Sequence, residues 1–337
     1  SAPVPPPPPP VPLARLVGQR LIVAFQGTTV PASLLTQLRT GSAGGVVLFS
    51  RNIATPDQVR ALTARMRVAA RAGGAPPPLV CVDQEGGAVK RLAWAPPDIA
   101  PPPLGELPAA ESHRQGLLTG RELRALGINC DLAPVADIPA VPGSFIAAQG
   151  REFSTDPAVA SPRVAAFAQG LDEAGVAATL KHFPGLGYAR QTTDTHLVTI
   201  GAPARALEDG LAPFRSGIDA GAPMVMLSSA TYTALGPLPG AWSPRIIGDL
   251  LRSQLGFGGV VITDSLDSAA GLRGWATPEA ALRSVAAGAD LLLVTGSTET
   301  SEGTYVQLFA AARSEQLPRA GLQQSYDRIL ALKRRLR

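Results

Sequence analysis

From about residue 13 onward the chain repeats one alternation of hydrophobic and polar segments. Short continuous runs of β-branched and apolar residues end in small or polar ones, and stretches rich in Ala, Leu and Arg follow. Eight runs read as strands, at 21–25 (LIVAF), 45–49, 79–83 (LVCVD), 129–134, 177–182, 224–228, 259–264 and 290–295. They are apolar at nearly every position rather than every second one, which predicts strands covered on both faces. Helical patterns lie between them at 56–72, 109–126, 157–174, 205–220, 244–255 and 278–287. Three of these open on Thr55, Ser243 or Thr277 followed by Pro, the pairing of an N-cap with a first helical position. Four end at Gly127, Gly175, Gly221 and Gly288, as expected where a left-handed residue closes a helix. Eight strands alternating with helices predict an α/β fold, a single-domain (β/α)8 TIM-type barrel over residues 13–337. A doubly wound open sheet is the alternative.

Residues 1–12, SAPVPPPPPPVP, can form neither helix nor sheet interior, because proline lacks the N–H and fixes φ. They predict an extended polyproline II tether. A tether ahead of a folded domain leads us to expect an exported or cell-envelope-associated protein, with a cytoplasmic linker as the alternative. No apolar run is long enough for a transmembrane helix.

Composition narrows the picture. The chain is 45% hydrophobic and 17% charged, which excludes a charge-dominated disordered protein. Its 35 Gly and 33 Pro follow no three-residue period, so collagen is excluded. The formal net charge is +4, carried almost wholly by Arg scattered along the chain, which predicts no nucleic-acid partner. Cys81 and Cys130 lie in strand-like runs and read as buried free thiols.

A barrel enzyme builds its site from polar residues at the C-terminal ends of strands. One run ends in Asp83-Gln84-Glu85-Gly86-Gly87, another in Lys181-His182-Phe183-Pro184-Gly185, and a third in Asp264-Ser265. Lys181 is one of three lysines, and His182 and His196 are two of three histidines, so rare residue types gather at one strand end. Each has a plainer reading. Asp264 could cap a helix with Ser265, Asp83 could pair with Arg91, and Asp194-Thr195-His196 could form a polar turn. His113 reads as a solvated helix residue. No H-x-x-x-H or H-E-x-x-H spacing occurs and Lys181 would oppose a cation, so we expect no metal and no cofactor. Gly185-Leu186-Gly187 lacks the third glycine of a dinucleotide fingerprint.

Taken together, GGVVLFSRNI (44–53), VDQEGGAVKRL (82–92), KHFPGLG (181–187), DTH (194–196) and SPRIIGDLLRSQLGFGGVVITDSL (243–266) resemble glycoside hydrolase family 3. The resemblance is to its single-domain β-N-acetylhexosaminidases. It implies that Asp264 is the nucleophile, that His196 is the general acid/base, and that Asp194 orients it. Asp83, Arg91, Arg151, Lys181 and His182 would grip the sugar. The resemblance further implies a retaining exo-β-N-acetylglucosaminidase acting on peptidoglycan- or chitin-derived sugars through a covalent glycosyl-enzyme intermediate. Such a protein needs no partner beyond its amino-sugar or oligosaccharide substrate and is expected to be a monomer. The alternatives are a catalytically weak sugar-binding envelope protein on the same barrel, a phosphorylase, or another β-glycosidase of the family. The chain departs from the family pattern in places. Leu186 stands where the family usually has His, and the stretch from KHFPG to Asp194 is longer than usual. PAVPGSFIAAQGRE (139–152) replaces the usual approach to Arg151, and position 88 is Ala rather than Arg.

Overall fold

A computed structural model of the protein describes residues 10–336, so residues 1–9 of the expected tether lie outside it. Eight parallel strands close into a barrel: β1 (Leu21–Val23), β2 (Gly45–Leu48), β3 (Leu79–Val82), β4 (Cys130–Asp131), β5 (Ala177–Phe183), β6 (Met224–Leu227), β7 (Val260–Ser265) and β8 (Leu291–Val294). Each pairs with its sequence neighbours, and β8 closes the ring on β1 in the register Leu21 to Leu292. The fold is therefore the (β/α)8 barrel that the sequence predicts, not the open sheet.

Successive strand side chains point to opposite faces. Ile22, Val47, Leu79, Cys81, Cys130, Met224, Met226, Ile262 and Leu293 fill the barrel interior. Val46, Leu48, Val80, Val82 and Val225 face outward under the helices. Both faces are thus apolar, and the period-two signal disappears from the sequence. Cys81 and Cys130 are opposite one another on adjacent strands, buried and unbridged.

Helix termini follow their caps. The Thr55 hydroxyl accepts from the Gln58 amide at the head of Pro56–Ala72, and the Ser243 hydroxyl accepts from the Ile246 amide. Thr277 is not a cap. It is the first residue of its helix, Thr277–Ala287, and its hydroxyl donates to Asp267. Gly127, Gly175, Gly221 and Gly288 all take positive φ, as expected of residues that turn a helix into the next strand. The helix expected over 205–220 is split into Ala204–Gly210 and Ala212–Asp219, because Pro213 enters the second piece without an N–H to continue the first. Likewise β4 is shorter than 129–134, since Pro134 cannot donate to a ladder. Pairing resumes beyond it, at Val135 with Lys181.

The structure adds helices the sequence pattern did not reveal, notably Ala32–Thr40, Thr298–Arg313 and Arg319–Arg335. The last of these closes the N-terminal end of the barrel. Its Ile329 and Leu332, with Leu336 beyond, join the interior cluster, and Lys333 Nζ donates to Gln19 Oε1 and the Gly44 carbonyl. No helix among the described residues is long and apolar enough to cross a membrane.

Candidate active site

At the C-terminal mouth the strand ends surround a cavity of about 380 Å³, lined by polar groups above an apolar floor that includes Val47, Leu132, Met226 and Leu293. The volume is in the range of small-molecule sites, about 300–1,000 Å³.

Beyond β3 the chain forms a small antiparallel hairpin, Gln84–Gly86 against Val89–Lys90. Gly86 and Gly87 turn it at φ 97 and 59, values that side-chain-bearing residues rarely adopt. The buried Gln84 amide fastens the following loop: its Nε2 donates to the carbonyls of Leu92 and Pro96, and its Oε1 accepts from the Leu92 amide. This arrangement leaves Asp83 and Glu85 beside Lys181 at the end of β5. Lys181 Nζ is 2.8 Å from Asp83 Oδ1 and 2.5 Å from Glu85 Oε1, and Arg151 grips Glu85 through two bonds of 2.8 and 2.7 Å. Arg91 reaches Asp83 at 3.5 Å. Bidentate guanidinium–carboxylate contact fixes orientation as well as charge. Burial would raise the Glu85 carboxyl, but the Lys181 and Arg151 charges outweigh it and hold it at about 2. Burial would equally lower the Lys181 ammonium, yet Asp83 and Glu85 keep it above its ordinary value.

His182 is held by Asp137, whose Oδ2 is 2.7 Å from the ring Nδ1. The other carboxylate oxygen accepts from the His182 and Leu186 amides. A carboxylate beside Nδ1 keeps the proton on that nitrogen and leaves Nε2 available to a ligand. The G-x-G that follows is explained by packing. Gly185 takes φ 128, and a Cβ on Gly187 would lie 1.5 Å from the Ile138 carbonyl oxygen. The side chain of Leu186 is buried and lines the cavity.

Asp264 stands near the end of β7, its Oδ1 accepting from the Ser265 amide at 2.7 Å. Its immediate surroundings are tied to β8: the Ser265 and Thr295 hydroxyls lie 2.6 Å apart, and the Thr295 amide donates to Asp267. Burial raises the Asp264 carboxyl above its ordinary range, with the Asp194 charge adding to the shift and His182 opposing it.

Seven of the eight residues singled out in the sequence line this one cavity: Asp83, Arg91, Arg151, Lys181, His182, Asp194 and Asp264. His196 does not. It is exposed, and its Nδ1 lies 2.9 Å from the Thr195 hydroxyl. Asp194 accepts from the Thr192 hydroxyl instead, so in this conformation Asp194 does not orient His196. The polar-turn reading of Asp194-Thr195-His196 describes the loop as observed, because its contacts are local to the turn.

Sequence reasoning passed over Glu85, Asp137, Gln84 and Asp131. Glu85 lies inside the quoted VDQEGG motif, and Asp137 ends the apolar run LAPVA, so the strand-end rule could have found both. Asp131 carries no such signal. It is buried beneath the charged cluster, with Oδ1 accepting from the Gln84 amide and Oδ2 without a partner. Burial pushes its carboxyl up to about 8. Among the described residues no group of three or more His, Cys, Asp or Glu side chains is placed to hold a metal ion.

The sequence profile described as Glycosyl hydrolase family 3 N terminal domain matches residues 17–332. A protein named Beta-hexosaminidase from Stenotrophomonas maltophilia (strain K279a) is 39% identical over 289 residues, covering 81% of this chain and 82% of that one. Among solved structures, a family 3 β-N-acetylglucosaminidase from Paenibacillus superposes with a TM-score of 0.91 at 34% identity, covering 97% of this chain and 63% of that one. A β-N-acetylhexosaminidase from Beutenbergia cavernae gives 0.88 at 33% identity, covering 96% and 99%.

Proposed function

The chain belongs to glycosyl hydrolase family 3 and is a glycoside hydrolase, and we propose that it releases terminal β-linked N-acetylglucosamine with retention of anomeric configuration. The natural substrates in this reading are oligosaccharides derived from peptidoglycan or chitin. One observation carries it: Asp264 shares a sugar-sized cavity with the fixed group of Lys181, Arg151, Asp83 and His182. A retaining glycosidase needs a carboxylate for attack on the anomeric carbon and a proton donor for the departing oxygen. Asp264 forms the glycosyl ester as the glycosidic C–O bond breaks, and His196 gives its proton to the leaving oxygen. Water, deprotonated by the same imidazole, then cleaves the ester. An imidazole has an unperturbed pKa of about 6.5 and can serve in both directions near neutrality. The residues around the sugar would be Asp83, Arg91, Arg151, Lys181 and His182, which together offer acceptors and charged donors to its hydroxyls.

For His196 to act, its loop must carry the ring from solvent towards Asp264, with Asp194 alongside as its orienting partner. His196→Ala is expected to lower kcat on chitobiose by about 10²–10⁴-fold, the usual range for a lost general acid. The p-nitrophenyl glycoside, whose leaving group needs little protonation, should suffer far less. Equal losses on both substrates would overturn the acid/base role.

Retention is tested by proton NMR during the first minutes of hydrolysis. The β-anomer of N-acetylglucosamine should appear first, and initial release of the α-anomer would overturn the mechanism. Faster turnover of the p-nitrophenyl β-glucoside than of the β-N-acetylglucosaminide would sink the amino-sugar preference. Added phosphate should leave the rate unchanged and yield no sugar 1-phosphate.

The raised Asp264 carboxyl also sets a pH dependence. The nucleophile must be ionised, so activity is lost as pH falls through its pKa. Because burial places that pKa above an ordinary aspartate, the acid limb of kcat/KM is expected above about pH 4. A limb at or below that value would show that Asp264 is not the group titrating.

A further inference from the structure

A second cavity, of about 400 Å³, opens at the other end of the barrel, between the turns that lead into β3 and β4 and the end of the C-terminal helix. Among the described residues its lining contains Arg67, Arg71, Arg124 and Lys333 and no carboxylate. We infer that this cavity binds a phosphate-bearing anion.

The four basic side chains converge from three helices, Pro56–Ala72, Ala109–Ala125 and Arg319–Arg335. Their hydrogen bonds among the described residues go to neutral groups. Arg67 donates to the Gly127 carbonyl and Arg124 to the Leu336 carbonyl, which uses one of the five N–H donors of each. Three helix C-termini end beside this cavity, each worth about half a negative charge, and burial pushes the Lys333 ammonium down to about 7, so the excess of roughly one to two positive charges rests on the three arginines. Repulsion is felt within the group: partial burial, then Arg124 and Arg71, hold the Arg67 guanidinium below its ordinary value. Forked guanidinium donors around one recess match the geometry of phosphate oxygens better than that of a single-point anion such as chloride. The barrel core separates this cavity from the catalytic mouth, so its occupancy is independent of substrate.

Calorimetric titration with pyrophosphate and with inorganic phosphate, at constant ionic strength in chloride, tests the site. Saturable binding is expected, unchanged when N-acetylglucosamine fills the catalytic cavity. Arg71→Ala or Arg67→Ala should weaken it by at least about tenfold through loss of charge-assisted bonds, with hydrolytic activity at the wild-type level. Arg283→Ala, at an exposed pair with Glu279 elsewhere on the surface, should bind as wild type. Co-sedimentation with phosphatidylglycerol vesicles, against phosphatidylcholine, identifies the source. Capture that Arg71→Ala abolishes points to a lipid headgroup, and pyrophosphate binding without capture points to a soluble phosphate. Absence of saturable binding to either probe, or equal weakening by Arg71→Ala and Arg283→Ala, overturns the proposal.

Discussion

Asp264→Asn is expected to reduce kcat on chitobiose and on the aryl glycoside alike by at least about 10³-fold, the consequence of its proposed role as nucleophile. The two substrates should respond equally because the carboxylate acts on the anomeric carbon, whatever leaves from it. The substitution keeps volume and the acceptor towards the Ser265 amide, so the fold and sugar binding should persist. Azide offers a sharper check. A small anionic nucleophile occupying the space of the shortened Asp264→Gly side chain should restore turnover and give the α-glycosyl azide, the configuration opposite to the substrate. Turnover by Asp264→Asn within about tenfold of wild type would exclude Asp264 as the nucleophile.

Lys181→Met should destabilise the protein by about 3–5 kcal/mol, the cost of removing one partner from a buried charge cluster. Lys181 is 2% exposed at its side chain and Glu85 1%, so water cannot replace the lost ammonium. Arg151 would remain on Glu85, but Asp83 would keep only the longer contact from Arg91. The pH dependence of stability carries the same signature. Glu85 has its folded pKa depressed to about 2, so its contribution is present above the unfolded value and lost as pH falls from about 4.5 towards 2. In Lys181→Met that acid-side loss should be smaller and complete at a higher pH, since less positive charge holds the Glu85 carboxyl below its unfolded value. Urea unfolding at several pH values measures both effects. A loss under about 1 kcal/mol would mean that the cluster contributes no more than a surface ion pair does.

The barrel itself was open to reading because both faces of every strand are covered, and that leaves continuous apolar runs with helix caps and glycines between them. Its last helix was not, because Ile329, Leu332 and Leu336 make sense only against the ends of strands far away in sequence. Asp83, Lys181 and Asp264 could be picked out by standing at strand ends, which a parallel barrel gathers at one mouth. Glu85 and Asp137 stand at comparable places and were passed over, since nothing local separates a carboxylate that holds Lys181 or His182 from one that faces solvent. Asp131 gave less still. Its raised carboxyl follows from burial, and burial belongs to the assembled molecule.

The sequence alone therefore determined the architecture, the family and the set of side chains from which a site could be made, because period, caps and strand-end motifs are local properties of the chain. Only the tertiary structure decided which of them meet. It joined Asp83, Glu85, Arg151 and Lys181 into one ionic cluster and gave His182 to Asp137. It also left His196 in solvent on its loop and gathered three arginines at the far end of the barrel. Charge interactions depend on distance through space and on exclusion of water, and neither exists until the strands have closed.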